Sequence, residues 1–343
     1  MPKHRHILVI RFSDIGDVAI AVPVLRCLLQ QNENVKVTVI TKTFLKPVLE
    51  TVKGLDVIAA DIRGKHEGLL GLLKFYSEIK DNKFNVIVDL HNSLRSKILR
   101  MVFFLSGVSS VVIDKGRSDK RKLTSGKEFK QLKTTAERYA DVFRRLGYQI
   151  DLSKHIFSIR PQLSKEISNW VGLDSKKWIG IAPFAFFESK MYPLDLMEKL
   201  IEQLSQSDKY KLILFGGKKE EIELKRLSEK YKNTLYTYQK ISFKEEIDLI
   251  SNLDLMVSMD SGNAHLAAMQ NVKVITLWGV THPYAGFSPF NQPQDYCLLA
   301  DRIKFPLIPT SVYGNKYPAN YKNAAGSIPV KTILDKIEEV LNS

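Results

Sequence analysis

Asp17 stands in the run Arg11-Phe12-Ser13-Asp14-Ile15-Gly16-Asp17-Val18, where an apolar strand pattern hands over to a helical one. A carboxylate there has two readings. It caps the helix, which stabilises by about 1 kcal/mol without any function, or it projects beyond the strand end and takes a proton as a general base. The helix N-terminus favours the charged carboxylate and so counts against the second reading. Gly16 would allow a tight turn at this junction. The run lacks the G-x-G-x-x-G dinucleotide fingerprint and is no Walker A loop.

A second stretch, Asp260-Ser261-Gly262-Asn263-Ala264-His265, follows the apolar Leu255–Met259 and opens another helix. N–H groups of Ser261, Gly262 and Asn263 would point at an anion. Asp260 would accept hydrogen bonds from hydroxyls. His265 lies about one turn in, where a satisfied structural histidine is the competing reading. Lys190, in Ser189-Lys190-Met191-Tyr192-Pro193, would neutralise a phosphate as a point charge or be a solvated surface lysine. Gly216-Gly217 lets a ligand approach the backbone closely or makes a simple turn. Gly279 and Thr281, in Trp278–Pro283, and Arg95, in Asp89–Ser96, follow two further strand patterns. Each stretch is weak alone. Their shared position at strand C-termini raises them, because open α/β sheets bind ligands there.

The elements that must hold these residues alternate. Strands are predicted at His6–Phe12, Val35–Thr41, Val57–Ala60, Asn85–Leu90 and Ser110–Ile113. Helices are predicted at Asp17–Gln30, Leu45–Val52, Leu69–Lys80, Leu94–Leu105 and Thr134–Leu146. The pattern lapses over 148–175 and restarts. Strands are then predicted at Trp178–Ala182, Lys211–Phe215, Thr234–Tyr238, Leu255–Met259 and Val274–Trp278. Helices are predicted at Leu194–Ser205, Glu220–Tyr231, Phe243–Asn252, Gly262–Gln270 and Val330–Leu341, with 283–326 expected as loop. The fold class is α/β, with two doubly wound parallel sheets in tandem. The expected division is an N-terminal domain over 1–160, a linker over 161–176, a C-terminal domain over 177–326 and a final helix over 327–343.

The 343 residues suffice for two domains of about 150. Lys and Arg number 51 against 37 Asp and Glu, a net charge of +14. That balance suits phosphorylated substrates, an anionic membrane or nucleic acid. Between Arg95 and Lys133, eleven Lys and Arg stand against three acids, Arg117, Arg121 and Lys122 among the basic ones. The stretch reads as a solvated loop or as a surface for phosphorylated groups and anionic lipid headgroups. Phe129 is the lone aromatic among its charges after Asp114, so no nucleic-acid partner is expected. Cys27 and Cys297 are expected as buried reduced thiols, and no His/Cys/Asp/Glu cluster has metal-ligand spacing. No secretory signal is expected, since Arg11, Asp14 and Asp17 break the first apolar stretch. The longest apolar run, Ile98–Ile113, contains Arg100 and falls short of the ~20 residues of a membrane-spanning helix. A cytoplasmic protein that touches the inner face of a membrane is expected.

Four blocks in order make the chain resemble the family 9 glycosyltransferases, the ADP-heptose:lipopolysaccharide heptosyltransferases. They are S-x-x-G-D-V at Ser13–Val18, D-L-H-N-S-L-R-S at Asp89–Ser96, K-M-Y-P at Lys190–Pro193, and D-S-G-N-A-H-L-A-A at Asp260–Ala268 followed by L-W-G-V-T-H-P at Leu277–Pro283. The resemblance covers nearly the whole chain. It implies a GT-B architecture of two Rossmann-like domains facing across a cleft, with the acceptor mainly on the N-terminal domain and the nucleotide-sugar on the C-terminal one. It implies inversion at the anomeric carbon, no metal and no cofactor beyond a nucleotide-sugar co-substrate, ADP-heptose. The implied partners are a lipid-linked lipopolysaccharide core acceptor and, peripherally, an anionic membrane surface. By motif, Asp17 matches the catalytic base, Lys190 the lysine on the donor phosphates, and Asp260 the aspartate on the donor sugar. Ser261 and Gly262 would offer N–H groups to the pyrophosphate. Asn263, His265, Gly216, Gly217, Gly279 and Thr281 join the donor side, and Ser13, Gly16, Arg95, Arg117, Arg121 and Lys122 the acceptor side.

The chain departs from the family pattern at Phe184-Ala185-Phe186-Phe187, at Tyr192 for the usual Trp, and at Asn263-Ala264 for Pro-Met. These departures bear on the donor pocket. Two alternatives stand beside the first reading. One is a GT-B enzyme with another nucleotide-sugar donor, or a sugar-nucleotide epimerase. The other is a catalytically silent polyanion-binding module, against which the intact Asp17, Lys190 and Asp260 set argues.

Overall fold

The computed structural model describes residues 5–172 and 174–342 and divides into two compact units. The first holds residues up to Lys115 together with Thr135–Ser158. The second holds Gly116–Thr134 and Ile159 onward. Residues 116–134, expected in the N-terminal domain, thus group with the second unit, and so does the C-terminal helix.

Apolar, β-branched runs form the strands and amphipathic runs the helices between them. In the first unit these are β1 (Arg5–Ile10), α1 (Ile15–Gln31), β2 (Val35–Lys42), α2 (Lys46–Glu50), β3 (Leu55–Ala60), α3 (Gly68–Ile79), β4 (Val86–Asp89), α4 (Leu94–Leu105) and β5 (Ser109–Val112). The chain then makes α5 (Arg117–Thr124) in the second unit and returns for α6 (Thr135–Arg144). All strand pairs are parallel, in the order β3-β2-β1-β4-β5. Both sheet faces are covered. Leu8, Ile10, Ile40 and Ile87 cluster with Leu72 and Phe75 of α3 and Leu99 and Phe103 of α4. Ile7 and Val9 point the other way by strand alternation and are equally buried. α1, α2 and α6 pack together.

The second unit continues with α7 (Lys165–Val171), β6 (Lys177–Ala182), α8 (Leu194–Gln206), β7 (Tyr210–Leu214), α9 (Glu221–Lys230), β8 (Thr234–Tyr236), α10 (Phe243–Ile250), β9 (Leu255–Met259), α11 (Gly262–Ala268), β10 (Lys273–Trp278), β11 (Cys297–Leu299) and α12 (Val330–Asn342). Its order, β11-β10-β9-β6-β7-β8, is that of a Rossmann sheet. Residues of β6, β7, β9 and β10 form one core with α8, α9 and α12. Local signals set several starts. Ser242 accepts from Glu245 N–H while Glu245 Oε2 accepts from Ser242 N–H, at 3.3 and 2.7 Å, closing a capping box on α10.

Three elements go beyond the expected pattern. α5 offers one apolar residue, Leu123, so no helical period betrays it; the helix is held because Leu123 packs with Leu132 and Ala285. α7 falls in the expected linker and is started by Ser164, whose Oγ accepts from Ile167 N–H at 3.3 Å. β11 is three residues long, too short for any periodicity, and pairs with β10 inside the expected loop.

Candidate functional site

In the first sheet the strand order reverses between β1 and β4, and the crevice at such a switch point lies beyond their C-terminal ends. Arg11 and Leu90 are the residues that follow. Arg11 is buried; its Nη1 donates to Leu90 O at 2.8 Å, and its other arm forms an ion pair with Asp17. Burial would lower the guanidinium's pKa, but Tyr139, Asp17, Asp14 and Asp89 outweigh it and hold the group above its ordinary value. The Asp17 carboxylate keeps 30% of its surface open. Asp14, not Asp17, sits at the N-cap of α1, and Asp17 is the helix's third residue. The Asp14 N–H lies 3.5 Å from Asp17 Oδ2. Gly16 is already helical, so the turn expected of it falls earlier, over Arg11–Asp14, where the Ser13–Asp14 peptide is cis.

Asp89, at the end of β4, is fully buried and builds the neighbouring loop. Its Oδ1 accepts from the N–H groups of His91 and Asn92 at 2.9 and 2.7 Å, and its Oδ2 lies 2.9 Å from Arg100 Nε. The loop needs a left-handed residue, supplied by Asn92 at φ 47°. It presents His91, whose Nδ1 accepts from Phe12 N–H at 3.2 Å. Burial, with the charges of Arg11 and Lys115, holds His91 down at about 3, so the ring is neutral at physiological pH. Ser13, His91 and Arg95 line a hollow of about 480 Å³ together with Phe12, Leu69 and Leu94.

In the second unit the reversal falls between β6 and β9. Loops after β6, β9 and β10 bring together three residues that the sequence singled out. Lys190 Nζ lies 2.8 Å from Asp260 Oδ2, and Thr281 Oγ1 donates to the same oxygen at 2.9 Å. Asp260 is the more buried partner, at 9% exposure against 15% for Lys190. Backbone contact holds the lysine loop. The Ser189 carbonyl accepts from Val280 N–H at 3.3 Å, and a Cβ on Gly279 would stand 2.4 Å from that carbonyl. Gly279 is therefore required by a close backbone approach.

Gly314 is not legible as a site residue in the sequence, and neither is the role of Ser189 within the lysine run. Ser189 is wholly buried and its Oγ donates to Gly314 O at 2.5 Å. Gly314 has φ +87°, and a Cβ there would stand 2.6 Å from Cγ and 2.7 Å from Cδ of Lys190, so the lysine stem lies along this glycine. The available signal was Ser311-x-x-Gly314, a side-chain turn in which Gly314 N–H donates to Ser311 Oγ at 2.8 Å.

Other expected residues have local explanations. Ser261 precedes the first residue of α11, and its hydroxyl meets that of Ser258 at 2.9 Å. Gly262 and Asn263 follow in the first turn, and His265 is buried. A Cβ on Gly216 would meet Leu224 Cδ1 at 2.8 Å, and Gly217 N–H donates to Glu220 Oε2 at 2.8 Å, so packing and the entry of α9 account for both glycines. Tyr192 is anchored by its hydroxyl, which donates to Ile328 O at 2.7 Å; burial, with Asp195 nearby, pushes its phenol up to about 12.

Arg117, Arg121 and Lys122 ride on α5 in the second unit, apart in grouping from Ser13, Gly16 and Arg95 of the first. Lys122 pairs with Glu128 at 2.8 Å. Their segment is anchored at Leu123, Phe129 and Leu132, while its cations Arg117, Arg121 and Lys122 stay exposed. The Phe129 ring lies 5.0 Å from the rings of His282 and Tyr284, with the Arg302 guanidinium 3.6 Å over its centroid, and Leu132 N–H donates to Tyr284 O at 2.9 Å. Burial, with Arg302 adding to it, holds His282 at about 4. Cys27 is buried as expected but Cys297 only half so, and both are free. Among the described residues no three His, Cys, Asp or Glu side chains group to hold a metal ion.

The model of glycosyltransferase family 9 (heptosyltransferase) matches residues 72–306. The chain is 25% identical over 302 residues to lipopolysaccharide heptosyltransferase 1 of Campylobacter coli, covering 81% of this chain and 85% of that protein. It resembles the solved family 9 glycosyl transferase of Veillonella parvula with a TM-score of 0.77 at 18% identity, covering 100% of this chain and 98% of the other. It resembles an E. coli heptosyltransferase solved with ADP with a TM-score of 0.70 at 18% identity, covering 98% and 99%. At these identities the structural likeness is one of fold: two α/β units with parallel sheets, the GT-B class.

Proposed function

This chain belongs to glycosyltransferase family 9, and from that premise we propose that it transfers heptose from ADP-heptose to an inner-core sugar of lipopolysaccharide, with inversion and without a metal. The observation that carries the reading is the Asp17 carboxylate, gripped by a buried Arg11 yet open on its other side. In the proposed step Asp17 takes the proton of an acceptor hydroxyl as that oxygen attacks the anomeric carbon. The bond from this carbon to the β-phosphate oxygen breaks on the opposite face, and ADP leaves with the electron pair. The proton passes to the open side of Asp17 late in the step, when formation of the new bond has made it acidic.

The departing diphosphate needs positive charge. Lys190 has three N–H donors, so it can keep Asp260 and turn another toward a phosphate oxygen. Asp260, fixed by Thr281, has its second oxygen for a sugar hydroxyl. Names of relatives support the donor and acceptor. The Campylobacter coli protein is a lipopolysaccharide heptosyltransferase, and the E. coli structure holds ADP. Among the described residues no helix is long and apolar enough to cross a membrane. The reaction is proposed for the cytoplasmic face of the membrane, with the protein attached peripherally.

Calorimetric titration with ADP, GDP and UDP, without added metal, tests the donor. ADP is expected to bind selectively, and Lys190→Ala to weaken it roughly tenfold or more. Selective binding of UDP or GDP would replace the donor and leave the reaction class. Anomeric configuration of the product, read by NMR, tests inversion.

A further inference from the structure

Helices α3 and α4 lie side by side on one face of the first sheet and share the core beneath them. Tyr76 and Phe103 meet edge to face at 4.8 Å, and the Tyr76 hydroxyl meets that of Ser106, which ties their C-terminal ends. Their inner faces are used by the core, with Leu72, Phe75, Leu99 and Phe103 buried. Their outer faces are not polar. Leu70 and Leu105 are each 81% exposed, and Leu69, Leu94, Met101 and Phe104 are all more than half exposed. Single exposed leucines are ordinary; six large apolar side chains on two adjacent helices are not.

Cations outnumber acids on this face, where Glu67 stands exposed at the N-cap of α3. α4 carries the exposed Arg95 and Lys97 and no acid, and its third cation, Arg100, is paired with the buried Asp89. α3 adds the exposed Lys74, and its single acid, Glu78, is engaged by Lys65 and His66. Cations around an apolar ridge are the composition of helices that lie in a lipid interface.

We propose that the outer face of α3 and α4 is a docking surface for an anionic lipid bilayer. Leu70, Met101, Phe104 and Leu105 enter the acyl boundary, while Lys74, Arg95 and Lys97 stay at the headgroups on their aliphatic stems. A second copy of the chain fits this face less well, because a two-fold contact would set the cations of one copy against those of the other. The ridge also continues into the hollow lined by Leu69, Leu94, Ser13 and His91. A lipid-linked acceptor would therefore reach the β1 end of the sheet from the membrane itself; this last link rests on the function proposed above. The surface revises the expected membrane contact over Arg95–Lys133. The part from 116 onward lies with the second unit, and the part on α4 gains an apolar ridge that charge alone did not show.

Vesicle flotation of the full chain tests the surface. Neutral phosphatidylcholine vesicles are compared with vesicles holding about 30% phosphatidylglycerol, at low and high salt. Wild type is expected on the anionic vesicles and less so at high salt. The triple variant Leu70→Gln, Phe104→Gln, Leu105→Gln is expected to lose binding roughly tenfold or more, with circular dichroism and ADP binding unchanged. Lys97→Gln is expected to cost about threefold and to flatten the salt dependence. No preference for anionic vesicles, or a triple variant that binds like wild type, overturns the proposal. So does a wild-type dimer that the triple variant dissociates while neither binds vesicles. The assay uses no donor or acceptor, so vesicle binding without heptose transfer would refute the reaction and leave the surface standing.

Discussion

Each unit places a cation–carboxylate pair with one open member at the switch point of its sheet, and these two pairs are built with opposite polarity, while the Asp89–Arg100 pair at the end of β4 has its carboxylate fully buried and shapes the loop there. In the first, Arg11 is the buried member at 7% exposure and Asp17 the open one at 30%. In the second, Asp260 is the more enclosed at 9% and is further held by Thr281, while Lys190 at 15% is the freer. The choice of cation fits. Arg11 uses its planar fork to bind a carbonyl and a carboxylate at once, whereas Lys190 is a compact charge with donors to spare. One unit thus offers a fixed carboxylate and the other a fixed cation. The transfer proposed above calls for both presentations, a group that accepts a proton and a group that stabilises a leaving anion.

The sharpest way to break the comparison is Asp17→Asn. Asparagine keeps an oxygen for Arg11 but cannot take a proton, so turnover is expected to fall by about 10³-fold with ADP affinity unchanged. An equal loss of ADP affinity, measured by calorimetry beside the rate, would show that the two pairs are not specialised. Gly314→Ala has a smaller expected effect on the other side. It drives a Cβ into the Lys190 stem, so ADP binding should weaken by about three- to tenfold, and the change should add nothing in a Lys190→Ala background. Additive losses would detach Gly314 from the lysine.

Acid distinguishes the units more gently. Burial is the main cause that holds His91 at about 3 and His155 at about 4 in the first unit, and His282 at about 4 in the second. These folded values lie below the ordinary 6.5, so the unfolded chain binds protons first as pH falls. The stabilisation is whole above about 6.5 and drains toward 4 and 3. The thermal midpoint is expected to drop by about 5 °C from pH 7 to pH 5. Hydrogen exchange should show the first unit, with two such histidines, loosening ahead of the second.

Much of the fold was written in periodicity. Ten of the strands end within two residues of where the pattern put them, because parallel strands buried on both faces are unbroken apolar runs. Lys190, Asp260 and Thr281 were each legible, though their meeting at one oxygen was not, since it needs three loop paths. The role of Arg11 is not legible, because a cation closing an apolar strand looks like an edge until Leu90 and Asp17 surround it. Gly314 was hidden in a stretch whose prolines and glycines read as undifferentiated loop. The polarity of the two ion pairs is a matter of burial, and burial of a side chain beyond a strand end has no sequence period.

The excursion over 116–134 gives the chain a history as well as a shape. A polypeptide leaves the ribosome from its N-terminus, and every residue of the first unit is out once Ser158 has emerged. Phe129 does not, because Arg302, His282 and Tyr284 are more than 150 residues downstream. Through that interval the segment joins two parts of the first unit with its aromatic anchor bare. Its eight cations from Lys115 to Lys133, held against Asp119 and Glu128, keep the waiting segment in water. Completion of the second unit is then the event that seats it, so newly made protein is expected to be cut between 116 and 134 where mature protein resists.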